Sequence, residues 1–139
     1  MAAPLIVGYD GSDCAKGALS AGADLAAQLG TDLLAVFAAS TPGPPGGEMS
    51  DYRRAVERHG AKLLEEVTGI VDGRAPVTTS VEDGSPEDVL IDAARRHGAQ
   101  MVVVGSHGER PLLGVILGST PYRLVHRCPV PVLVVPDPE

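Results

Sequence analysis

The sequence predicts a three-layer α/β domain: a five-stranded parallel sheet of order 3-2-1-4-5 flanked by four helices. Three observations carry this. Five short apolar runs alternate with helix-period segments along the 139 residues. Most of the runs are continuously apolar, as suits strands buried on both faces of a parallel sheet. The first and fourth run into Asp10-Gly-Ser12 and Gly105-Ser-His-Gly108. Those glycine-bearing loops meet when strands one and four are neighbours, at the point where winding reverses and ligands bind in open α/β sheets.

The elements follow in order. Leu5 to Tyr9 is the first strand. Ala15, Ala18, Leu19, Leu25, Ala26 and Leu29 then repeat at helical spacing, Gly22 leaves room for close packing, and Gly30 stops the helix. Asp32 to Ala39 is the second strand. Ala39 to Ser50 holds three prolines and three glycines and reads as a loop that either covers a ligand or merely connects. Tyr52, Val56, Leu63, Val67 and Ile70 mark a second helix, with Ser50 or Asp51 as its cap. Val77 to Val81, rich in hydroxyls, is the third strand. Ser85-Pro-Glu-Asp88 supplies a cap, a first-turn proline and a capping-box acid for a third helix ending at Gly98. Met101 to Gly105 is the fourth strand; Thr120-Pro121 starts the last helix, which ends before Pro129. Val130 to Val135 closes the sheet. Pro131 removes a ladder donor there and the third strand is the most polar, so both belong at or near sheet edges.

Composition narrows the function. The length suits one domain over 1–139. A net charge of −7 with no Trp and one Phe argues against nucleic acid, which calls for basic patches and stacking platforms. It does not argue against a nucleotide, whose phosphates backbone amides can hold. The apolar runs are too short for a membrane span and no secretory leader is visible. Cys14 and Cys128 form no metal-spaced cluster. A reduced, cytoplasmic protein is the expectation.

The chemistry concentrates in Gly105-x2-Gly108-x9-Gly118-Ser119, a strand–loop–helix-start arrangement. Glycines permit close backbone approach, and a helix N-terminus presents unpaired N–H groups and a partial positive charge to an anion. With that spacing, Asp10-Gly-Ser12, the Glu82-to-Pro86 turn and the Pro129-to-Val135 end, the chain resembles the nucleotide-binding branch of the universal stress protein family over its whole length. The resemblance implies binding of ATP or a related adenine nucleotide, and homodimerisation through the last strand. It implies that Gly8, Tyr9 and Asp10 meet the nucleoside and that the Val36 backbone meets adenine. Gly105, Ser106, His107, Gly108, Glu109, Arg110 and Pro111 would then surround ribose and phosphates, and Gly118, Ser119, Thr120 and Pro121 the phosphate tail.

The residue types fit those roles. Asp10 can accept from ribose hydroxyls or share Mg²⁺. Ser106, Ser119 and Thr120 can donate to phosphate, and Arg110 can add a charge-assisted contact. Pro121 removes one helix-start donor, and Glu109 places a negative charge in the loop. The bland readings compete: Asp-Gly-Ser is also an ordinary capping turn, and Gly105 and Gly118 can be packing residues. His107 has no orienting carboxylate visible in sequence, so it reads as a loop-positioning residue.

Three function classes remain. The leading one is a regulatory nucleotide-binding protein without efficient turnover. The second is a slow Mg²⁺-dependent ATP hydrolase, weakened because no GxxxxGK[ST] lysine is present. The third is a cyclic-AMP-binding or ligand-free interaction module. The apolar last strand, Val130 to Val135, would suit pairing with a second copy.

Overall fold

The computed structural model describes residues 3–39, 49–107 and 118–137. The elements run β1 (Leu5–Gly8), α1 (Asp13–Leu29), β2 (Leu33–Ala39), α2 (Met49–Val71), β3 (Val77–Asp83), α3 (Pro86–Arg96), β4 (Met101–Gly105), α4 (Ser119–Arg127) and β5 (Val132–Val135). All four strand pairs are parallel and the sheet order is β3-β2-β1-β4-β5, as the sequence predicts. The two strands read as edge candidates are the edges.

Period-two alternation divides each central strand between two cores. Leu5, Val7 and Tyr9, Leu33 and Ala35, and Val103 face α1 and α2. Ile6, Leu34 and Val36, and Val102 and Val104 face α3 and α4. Both sides are covered, which explains why these strands carry no polar face. Gly22 sits where a Cβ would come within 3.1 Å of Val7 Cγ2, so α1 lies close on β1. Gly30 ends α1 in the left-handed region at φ 65°. Arg74 joins the two helices of that layer: it donates to the Ile70 and Val71 carbonyls at the end of α2 and to Asp24 and the Ser20 carbonyl of α1.

Several boundaries differ from the sequence expectation. β3 runs on to Asp83, pairing with β2 as far as Ala39. β5 begins at Val132 instead of Val130, because the Pro131 carbonyl accepts from Val102 while its nitrogen can donate nothing. Ser85 caps α3 by backbone alone: Val89 N–H donates to its carbonyl, and its side chain makes no capping bond. α2 starts at Met49, ahead of the expected Ser50 or Asp51 cap. Most of the 39–50 segment lies outside the described residues.

Candidate functional site

The winding of the sheet reverses between β1 and β4, so the turns after these strands share its carboxyl edge. The first turn is short and self-satisfied. Gly11 at φ 83° takes a backbone conformation that a side chain would strain. The Asp10 carboxylate accepts the Ser12 N–H at 2.9 Å, and Ser12 Oγ accepts the Ala15 N–H at 3.1 Å as the cap of α1. Asp13 adds a negative charge to that first turn. Asp10 therefore acts as a turn residue while its side chain stays exposed.

Gly105 carries the second turn onto the first. A Cβ there would stand 2.8 Å from Cys14 Sγ and 3.0 Å from the Cys14 carbonyl carbon, so α1's first turn rests directly on the end of β4. Ser106 N–H donates to the Val135 carbonyl at 2.9 Å, and its carbonyl accepts the Gly118 N–H at 2.7 Å. Its hydroxyl lies 3.5 Å from Cys14 Sγ. A Cβ on Gly118 would come within 3.0 Å of His107 Cα. Both glycines thus have steric reasons to be glycine, and together they pin the two ends of the intervening segment side by side. Gly108, Glu109, Arg110 and Pro111, within that segment, lie outside the described residues.

The start of α4 corrects the sequence expectation. Gly118 is the cap, Ser119 and Thr120 are the first two helical residues, and Pro121 is third and buried. Ser-Thr-Pro permits two helix registers. The Gly118-to-Ser106 bond goes with the earlier one, exposing Ser119 and leaving Thr120 half-buried. Ser119 and Thr120 then offer two N–H groups and two hydroxyls at the same helix end, with no acidic residue in the first turn.

On the nucleoside side the placements are mixed. Gly8 is hemmed in: a Cβ would meet Leu90 Cδ1 at 2.9 Å and Val104 Cγ1 at 3.1 Å. Tyr9 sends its ring into the α1–α2 layer, where its hydroxyl donates to Glu66. Burial, reinforced by Glu66, holds the Tyr9 pKa well above the ordinary phenol value. Only its backbone stays at the edge, and its N–H donates to the carbonyl of the buried Val36 at 3.0 Å. Gly8 and Tyr9 at the end of β1 thus meet Val36 in the middle of β2, with Asp10 just beyond.

Sequence reasoning missed two side chains. Asp137 stands with its Oδ2 3.1 Å from His107 Nε2, supplying the carboxylate that the sequence did not reveal. A signal existed: β4 and β5 pair with Gly105 opposite Val135, and carrying that offset onward aligns residue 107 with residue 137. Glu66 gave no comparable signal. Among the described residues, no group of three or more His, Cys, Asp or Glu side chains gathers to hold a metal ion. No helix among them is long and apolar enough to cross a membrane.

This arrangement suits an anionic ligand lying across the switch point, with Ser106, Ser119 and Thr120 as donors and Asp10 as an acceptor. The model of the universal stress protein family matches residues 1–136. The chain belongs to the universal stress protein family. Universal stress protein Rv2005c of Mycobacterium tuberculosis strain H37Rv is 34% identical over 137 residues, covering 95% of this chain and 45% of the relative. The chain therefore spans about half the length of that curated relative. Among solved structures, universal stress protein UspA from Lactobacillus plantarum superposes with a TM-score of 0.81 at 23% identity, over 96% of this chain and 97% of that one. A universal stress protein in complex with cAMP superposes with a TM-score of 0.78 at 24% identity, over 97% of each chain. These two likenesses establish the shared fold.

Proposed function

We propose that this universal stress protein domain binds an adenine nucleotide, with ATP as its ligand, and works as a cytoplasmic regulatory binding protein. One observation carries the reading. α1 and α3 both place acidic residues in their first turns, whereas α4 has none and begins on Ser119 and Thr120 beside the glycine loop. A helix end left positive, with two hydroxyls and two N–H groups that have no partner among the described residues, suits phosphate. The cAMP carried by a structural neighbour supports an adenine nucleotide as the ligand class.

In this proposal the nucleoside lies over Gly8, Tyr9 and Asp10 toward Val36, and the phosphates reach Ser106, Ser119 and Thr120. The exposed Asp10 carboxylate would share a Mg²⁺ brought by the polyphosphate. β5 ends in the residues that hold the loop, through Val135 to Ser106 and Asp137 to His107. Pairing of two copies along the 130–135 edge would therefore sit next to the nucleotide. Membranes and nucleic acid play no part in the reading.

The test is calorimetric titration of nucleotide-stripped protein with ATP·Mg²⁺, AMP and cyclic AMP, beside light scattering at micromolar concentration. Saturable binding of an adenine nucleotide is expected, with a dimer in scattering. No heat and an unchanged melting temperature at millimolar ligand would sink the nucleotide reading. A strict monomer would sink the dimer.

A second reading, slow ATP hydrolysis, draws on the His107–Asp137 pair, because a carboxylate that orients an imidazole is a recurring part of base catalysis. Phosphate release that disappears in His107→Asn while nucleotide affinity persists would favour it.

A further inference from the structure

We infer that Arg123, held in place by Glu87, is a side chain through which this site recognises phosphates beyond the first; the inference rests on the nucleotide reading above. Arg123 Nη1 donates to Glu87 Oε1 at 2.6 Å, joining α4 to α3. The pair is lopsided. Glu87 is 5% exposed, whereas the Arg123 side chain is 58% exposed. The carboxylate is an anchor beneath the guanidinium, and the outer side of the planar fork faces solvent with donors to spare.

Its position follows from helix geometry. Ser119 and Arg123 are four residues apart on α4 and so share a face. Their Cα atoms differ by about 6 Å along the axis. Helical side chains lean toward the N-terminus, which lifts the guanidinium back toward Ser119. Glu87 gives an independent check of that height, being the second residue of α3, whose start lies at the same carboxyl edge of the sheet. Arg127, one turn further along α4, is tied instead to Asp88 at 3.0 Å.

The chemistry divides the work. The start of α4, with Ser119 and Thr120, carries enough donors for one phosphate group. A second and third phosphate bring further negative charge into a protein whose net charge is already −7. A fixed guanidinium beside the helix start offsets that charge and offers paired donors to phosphate oxygens. Glu87 keeps it from swinging into bulk solvent.

The experiment compares ATP·Mg²⁺ and AMP by calorimetry on the full chain and on Glu87→Gln/Arg123→Gln. The double variant leaves net charge unchanged and avoids a buried carboxylate without its partner. Circular dichroism and the melting temperature establish that it is folded. The parent is expected to prefer ATP over AMP; the double variant loses about tenfold in ATP affinity and little in AMP affinity. Glu87→Gln alone releases the guanidinium from its charged anchor and is expected to lose part of the ATP preference while AMP affinity stays; an undiminished preference would overturn the anchoring role of Glu87. Equal losses for both nucleotides would assign the pair a structural role and overturn the inference, as would a parent that binds both equally. In either case the nucleotide reading survives. A parent that binds no nucleotide overturns both.

Discussion

The two turns at the carboxyl edge begin two helices in opposite ways. After β1, side chains of the turn itself take two backbone donors: Asp10 takes the Ser12 N–H and Ser12 takes that of Ala15. Asp13 then offsets the helix dipole. After β4, the helix starts on a glycine with no side-chain cap, no first-turn acid and a proline at its third position. A self-capped start stabilises the fold. An uncapped one stores donors for something else. The pair teaches that glycine-rich turns on the same edge can serve different ends. One builds the sheet–helix joint, and the other holds the donors of the proposed phosphate site.

The strongest attack on this contrast is at Gly118. Gly118→Val pushes a branched side chain against His107 Cα, where even a Cβ would stand at 3.0 Å. Overpacking of this kind costs about 1–3 kcal/mol. Because the displaced element is the proposed binding loop, affinity for ATP is expected to fall by about ten- to a hundredfold in calorimetry. Circular dichroism should stay unchanged. Full affinity would show that the closed loop base does not matter to the ligand.

Ser119→Asp makes α4 resemble α1. The added carboxylate complements the dipole and raises stability by about 0.5 kcal/mol. It also repels phosphate, so ATP affinity falls about tenfold. Opposite signs in melting temperature and titration would sharpen the comparison; a variant that gains stability and binds ATP as before would break it.

At the other turn, Ser12→Ala removes a cap and costs about 1 kcal/mol of stability. That corresponds to a melting point lower by about 4 °C. Nucleotide affinity should not change, since Ser12 Oγ is already engaged with Ala15. A tenfold loss of affinity would show that the Ser12 cap, and not Asp10 alone, supports the ligand.

The smallest effect is confined to alkaline solution. Burial and Glu66 hold Tyr9 protonated in the folded protein above the ordinary phenol range, while an unfolded tyrosine ionises near about pH 10. The folded state then binds more protons than the unfolded one, so stability falls as pH rises past about 10, by at most about 1.4 kcal/mol per pH unit. In Tyr9→Phe this share of the alkaline slope disappears from denaturant titrations, and the neutral range shows no pH dependence from this group in either protein.

Much of the fold was legible because its signals are local. Continuous apolar runs, the Gly30 stop and the Ser85-Pro86 start each lie within a few residues of what they specify. Even the strand order was readable, since the loops after β1 and β4 had to meet. The start of α4 was misread by two residues, because Thr120-Pro121 is as good a local start as Gly118-Ser119. Loop closure onto Ser106 separates the two only in three dimensions.

The sequence by itself determined the parallel sheet, its edges and the meeting of the two glycine-bearing turns at one edge, because periodicity and glycine spacing act through the backbone nearby. Only the tertiary structure decided which side chains stand together there. Tyr9 meets Glu66, His107 meets Asp137 and Glu87 meets Arg123 across 57, 30 and 36 residues of chain. Such pairs leave no local trace: each partner has an ordinary place on its own strand, loop or helix. Their meeting depends on how helices pack across the sheet and how deeply each charge is buried.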